Sequence, residues 1–172
     1  MTSEPGFRLS QSGAQLTQAD IDDFETSLGE SLPVEYRSFL LKSNGGVPDP
    51  SWFPTNEGYD DDISHFLAIN SANQAADMSA QREYYRRWIA PRFLPIAICG
   101  GGDVLCICLS GDDRGSIHYW NHELGWYDDE PSEKSLSRLA DRLSDFLNTV
   151  AKSDSDFVAM TIMTDKPWWK FW

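Results

Sequence analysis

The chain has 172 residues, 27 of them acidic and 14 basic, for a formal net charge of −13 at pH 7. Hydrophobic residues make up 41% and charged residues 24%, which excludes an intrinsically disordered chain and fits one folded domain. A surface this acidic repels a phosphate backbone, which argues against direct nucleic-acid binding, and it attracts basic proteins.

Aromatic residues reach 13%, seven of them Trp, which points to a dense core or an aromatic-rich binding surface. The opening stretch MTSEPGFRLSQSG carries neither the basic nor the apolar region of a signal peptide. No apolar run approaches the roughly 20 residues that span a bilayer. The three cysteines lie in apolar, strand-like runs, which fits reduced, buried thiols in a cytoplasmic protein better than a disulfide framework.

Residues 1–15 are polar and contain glycine, and are expected to form a flexible N-terminal segment. The first helix is predicted in LTQADIDDFETSLG. Thr17 is a good N-cap with Asp20 as its capping-box partner, and Leu16 and Ile21 form a hydrophobic staple. Ile21, Phe24 and Leu28 recur at helical spacing, and Gly29 closes the helix. The second helix follows in LPVEYRSFLLKSNGG. Pro33 suits its first turn, Tyr36, Phe39 and Leu40 form its apolar face, and Asn44-Gly45-Gly46 stops it.

WFP at 52–54 is a short aromatic piece, NEGYDDD an acidic loop and ISHFLAIN a strand. A helix is predicted over 71–88, with Ala75, Met78, Tyr85, Trp88 and Ile89 inward and Arg82, Arg86 and Arg87 as the chain's one basic patch. Strands are predicted at 93–99, 103–109 and 116–122, joined by turns of hairpin type into an antiparallel meander. WYDDEPSEK is a second acidic loop. A helix is then predicted with Leu136, Leu139, Ala140, Leu143, Phe146, Leu147 and Val150 on one face. Residues 152–172 form a C-terminal extension with a strand at 157–163 and an aromatic end.

The stretch LPIAICGGGDVLCICLSG is the natural place to look for chemistry. A phosphate-binding loop needs a strand, a Gly-rich turn and then a helix, whose N-terminus meets the anion. Here DVLCICL follows the glycines and predicts a strand, so the reading is a hairpin turn that Asp103 ends. Cys106 and Cys108 share one strand face, as do His118 and His122 on the next strand, but their spacing matches no common zinc pattern. A cysteine nucleophile needs a partly exposed, activated thiol, and burial in apolar strands suppresses the thiolate. The acid runs read as solvated charge rather than as carboxylates tuned for catalysis.

The order of these signals is distinctive. IDDFETSLGESLPVEYRSFLLKSNGGVP, then FLPIAICGGGDVLCICLSGDDRGSIHYWNHE, then LSDFLNTV closely resemble the SUKH superfamily, over residues 16–151. That superfamily includes fungal cell-wall-assembly regulators and bacterial toxin-immunity proteins. The resemblance implies an α+β fold, with helices packed on an antiparallel sheet in a single domain. It implies binding rather than catalysis, with no catalytic residues, no metal and no cofactor. Gly45, Gly46, Gly101, Gly102, Pro33, Tyr36 and Trp120 match positions that read as structural.

The expected function is that of a cytoplasmic immunity protein, monomer or homodimer. It would bind and neutralise a cognate secreted polymorphic toxin, of basic nuclease type and encoded beside it, without membrane or nucleic-acid contact. The alternative is a regulatory or scaffold module. The expected partner-binding residues form two patches, one of Trp52, Glu57, Tyr59, Asp60, Asp61 and Asp62, and one of Trp126, Tyr127, Asp128, Asp129 and Glu130. Carboxylates would stand where phosphates lie, and aromatics would be the buried anchors. The aromatic end KPWWKFW is expected to fold back on the domain, with an intermolecular contact as the alternative.

Overall fold

The computed structural model of the protein describes residues 7–127 and 129–150. Arg8–Ser10 (β1) pairs antiparallel with Val47–Asp49 (β2), so the segment expected to be flexible takes part in the fold from residue 8. Gln18–Leu28 (α1) starts as its sequence dictates. Asp20 N donates to Thr17 Oγ1 at 3.2 Å, and Thr17 N donates to the Asp20 carboxylate at 2.7 Å, completing the capping box. Gly29 ends the helix at φ 71°, in the left-handed region. In Val34–Lys42 (α2), Arg37 forms ion pairs with Asp22 and Glu25 of α1 and ties the two helices together.

Trp52–Pro54 (β3), Asp60–Phe66 (β4), Phe93–Cys99 (β5), Val104–Cys108 (β6), Ile117–Trp120 (β7) and Leu136–Ala140 (β8) form a six-stranded sheet in chain order. Every pairing is antiparallel, so the sheet is the expected meander. It curls: Asn56, between β3 and β4, donates to the carbonyl of Arg138 on β8. Helices Met78–Tyr85 (α3), His122–Gly125 (α4) and Leu143–Leu147 (α5) complete the α+β domain.

Strand β6 shows how the layers are filled. Leu105 and Ile107 face the main core with Ile21, Phe24, Tyr36, Leu40 and Phe146. Val104, Cys106 and Cys108 face a second cluster with Tyr85, Ile89, Phe93 and Trp120. A strand covered on both sides reads as an unbroken apolar run, as VLCIC does. Gly125 lies flat against the Trp120 indole, where a Cβ would come within 2.4 Å of ring atoms.

Two predicted helices differ from the structure. Over 71–88 the helix begins only at Met78. Ahead of it, Ser71 N donates to Asp77 Oδ2 at 2.9 Å, Asn73 N to Ser71 Oγ at 3.2 Å, and Ala75 N to Asn73 Oδ1 at 3.1 Å. These short polar side chains offer the backbone turns that compete with helix. Asp77 Oδ1 then accepts from Ala80 N at 2.9 Å and caps the shorter helix.

The helix expected from Leu136 to Val150 is split. Leu136–Ala140 pairs with β7, and only Leu143–Leu147 is helical. The unpaired edge of β7 presents backbone groups that need partners, and Ser135 and Ser137 are weak helix formers. Six of the seven expected positions share a side: Leu143, Phe146 and Val150 lie in the main core, and Leu139, Ala140 and Leu147 pack against it, whereas Leu136 packs against the second cluster. The expected strand at 157–163 and the aromatic end lie outside the described residues.

Candidate functional site

An antiparallel meander gathers alternate strand ends. The start of β4, the end of β5, the start of β6 and the end of β7 meet at one end of this sheet. Tyr119 of β7 is fully buried there. Its hydroxyl lies 3.0 Å from Asp61 Oδ2 and in a shorter contact with Asp103 Oδ2. A phenol has one proton to donate, so the two carboxylates compete for it. Burial holds the Asp61 carboxyl above its usual range, and burial likewise pushes the Tyr119 phenol up.

The network extends outward. Asp103 Oδ1 accepts from the His122 backbone N–H at 2.8 Å and lies 2.7 Å from His122 Nδ1. Tyr59 Oη is 3.4 Å from Tyr119 Oη and donates to Glu57 Oε2 at 2.9 Å. Asn121 Nδ2 donates to the same Glu57 oxygen at 2.6 Å, joining residues 64 apart in sequence. The other side of the Asn121 amide caps α4, accepting from Glu123 N at 2.9 Å. The β3–β4 loop, the glycine turn and α4 are therefore one hydrogen-bonded unit.

Large side chains stand out from this unit: Tyr59 is 45% exposed, Trp126 52% and Tyr127 86%. The Trp126 ring rests against His122, with centroids 4.9 Å apart. Glu123, Asp129 and Glu130 are exposed beside them. Among the described residues, Glu57, Asp61, Asp62 and Asp103 form no ion pair with lysine or arginine.

The structure thus ties the first acidic patch to the start of α4, where Trp126 of the second patch rests on His122, and it changes the role of one member. Asp60–Asp62 was expected as an exposed acidic run, yet it lies in β4. Asp61 there is only 9% exposed, so it supports the face from beneath. Asp60 and Asp62 are half-buried, and Trp52 stands opposite Asp62 across the β3–β4 ladder. Asp128 lies outside the described residues. Sequence reasoning did not assign Tyr119, Asn121 or His122 to this face. Asn121 directly before HELG is an N-cap signal, and it could have revealed α4.

The glycine turn is a hairpin. Gly102 N donates to Cys99 O at 3.1 Å, and the glycines are followed by strand β6 instead of the helix that a phosphate-binding loop needs. Gly102 has φ 97°, whereas Gly101 has no positive φ, and a Cβ there would meet Asp103 Oδ2 at 3.7 Å, an ordinary contact. At Gly100 a Cβ would lie 2.4 Å from Asp62 Oδ1, so this glycine lets the acidic strand approach the turn.

The histidines part company. His118 faces Cys106 across the β6–β7 ladder and makes a local hydrogen bond with Ser116 Oγ at 2.9 Å. His122 has left the strand to begin α4, so the two do not share a strand face as expected. Burial raises the thiols of Cys99, Cys106 and Cys108. Among the described residues, no group of three or more His, Cys, Asp or Glu is placed to hold a metal ion. No helix among them is long and apolar enough to cross a membrane.

Fold and face define an acidic α+β domain in which helices pack on an antiparallel meander. The chain belongs to the SMI1/KNR4 family (SUKH-1), whose family model matches residues 15–149. The match begins just ahead of the α1 capping box and ends just past α5, so it takes in the whole six-stranded sheet. A search of curated proteins found no match to the sequence.

Proposed function

We propose that this protein is an immunity protein that works by binding rather than catalysis. It occupies a cognate secreted toxin of basic, nuclease type and neutralises it by direct contact. The observation that carries this reading is the bond from Asn121, at the start of α4, to Glu57 of the β3–β4 loop, 64 residues earlier, on a face where among the described residues Glu57, Asp61, Asp62 and Asp103 form no ion pair with arginine or lysine. Glu57, Asp60, Asp62, Asp128, Asp129 and Glu130 would stand where phosphates lie on a surface that grips nucleic acid. Trp52, Tyr59, Trp126 and Tyr127 would be the anchors, with Asp61 supporting from below. Membership of a family within a superfamily of immunity proteins and regulators supports the reading. The free, buried cysteines suit the reducing cytoplasm in which such a protein would meet its toxin.

The test is co-purification with the product of the neighbouring gene, followed by association kinetics at low and high salt. The variant Asp60→Asn/Asp62→Asn/Asp129→Asn/Glu130→Gln should keep the wild-type melting temperature. It should associate about tenfold more slowly at low salt, with a flatter salt dependence. Equal salt slopes for variant and wild type would remove this face from the interface. A gene standing alone, with no toxin beside it, would favour the regulatory module instead.

A further inference from the structure

The opposite end of β5 carries a surface of different chemistry. A cleft of about 510 Å³ opens between the last turn of α1, helix α3 and the first residues of β5. Its apolar lining includes Leu28, Tyr85, Ile89 and Phe93, all 8% exposed or less. Ser79, Arg82, Glu83 and Arg86 also line it. Their spacing is i, i+3, i+4, i+7, which is one face of a helix and about 10 Å long.

The charges on this wall are unusual for the chain. Acidic residues outnumber basic ones 27 to 14, so an arginine would be expected to find a carboxylate. Arg82 is half-buried yet has no hydrogen bond or ion pair among the described residues. Among the described residues Arg86 meets only Glu83, at 3.0 Å, in a pair whose side chains are 68% and 65% exposed. Such a pair is largely screened by water and leaves the guanidinium free to take another partner. Two arginines over an apolar floor complement a group that is both apolar and anionic.

We infer that this cleft docks a short acidic peptide segment of a partner protein. A Trp, Phe or Leu side chain would enter the apolar floor and an adjacent Asp or Glu would pair with Arg82. A stripe about 10 Å long matches about three residues of extended chain. This surface has the opposite charge from the acidic face and lies at the other end of β5, so it would serve a second partner, and the inference does not rest on the toxin reading.

The test is selection of random dodecapeptides, displayed on phage, against the full-length protein. Enriched peptides should pair Asp or Glu with Trp, Phe or Leu, and should shift the amide resonances of Arg82, Tyr85 and Phe93. Their affinity should fall about tenfold or more in Arg82→Glu and by less in Arg82→Gln, with unchanged melting temperatures. The inference is overturned if no acidic–apolar family emerges, or if its affinity survives Arg82→Glu. Enrichment of basic peptides alone, lost in the Asp60/Asp62/Asp129/Glu130 variant, would overturn it while supporting the acidic face. Self-association abolished by Arg82→Glu would overturn it in favour of a second copy of this chain.

Discussion

The two ends of the sheet treat their carboxylates in opposite ways. Just before β5, Arg92 Nη1 donates to Asp113 at 2.6 Å, while its Nε and Nη2 donate to the two oxygens of Glu133 at 2.6 and 2.8 Å. The guanidinium holds both carboxyls below their usual range. At the far end of β5, Asp61, Asp103 and Glu57 are met by a phenol, an amide, backbone N–H groups and His122. Among the described residues no guanidinium pairs with these three, and the Asp61 carboxyl is held up instead of down. With half as many bases as acids, the chain places arginine where two loops must be pinned to the sheet. The other end stays negative, which is what a face for a basic partner requires.

Arg92→Ala breaks the neutralised end and should have the largest effect. It removes three charge-assisted hydrogen bonds and leaves Asp113 and Glu133 facing each other. The Arg92 side chain is 31% exposed, so solvent screens part of the loss. A destabilisation of about 1–3 kcal/mol is expected, seen as a fall of several degrees in melting temperature. Added salt should narrow the gap between variant and wild type. An unchanged melting temperature would mean that the clamp holds nothing, and the contrast between the two ends would lose its physical basis.

The glycine turn sharpens the description of the acidic end. From the sequence Gly101 and Gly102 both read as structural, but of the two only Gly102 has positive φ, at 97°. Gly102→Ala should therefore cost on the order of 1 kcal/mol, and Gly101→Ala should fall within about 0.5 kcal/mol of wild type. Equal losses at both positions, measured by denaturant melts, would show that the turn differs from the one described.

What could be read from the sequence follows from the range of each interaction. The α1 capping box, the Gly29 stop and the β5–β6 hairpin are set by neighbours within a few residues, and the structure has them as expected. Strand β8 depends on the open edge of β7, a non-local demand that overrode a helical period in LSRLA. The site divides the same way. Both acidic patches were visible as composition. That Asp61 turns inward depends on Tyr119, 58 positions later, and that the first patch is tied to α4 depends on Asn121 reaching Glu57. No local pattern encodes either contact, although the burial alternation of β4 would place Asp61 inward once its register is known.

The smallest expected effect, and the most direct test of the contrast, lies at Asp61. Burial raises its folded carboxyl above the ordinary value of 3.8. The native state therefore binds this proton more tightly than the unfolded chain does. The stabilisation from that proton is fully present below pH 3.8 and is lost as pH rises through the folded value. At neutral pH the buried carboxylate is a burden. Asp61→Asn removes the charge but keeps the shape. Its Oδ1 can still accept from Asp62 N, now at 2.8 Å, and its Nδ2 can donate to the Tyr119 oxygen while Tyr119 donates to Asp103. The variant should melt a few degrees above wild type at pH 7, a gain of about 1 kcal/mol or less. The difference should shrink as pH falls and vanish once wild-type Asp61 is protonated. If the variant were instead less stable at neutral pH, with the gap closing only in acid, Asp61 would be a stabilised carboxylate like Asp113 and Glu133. The two ends of the sheet would then obey the same electrostatic rule.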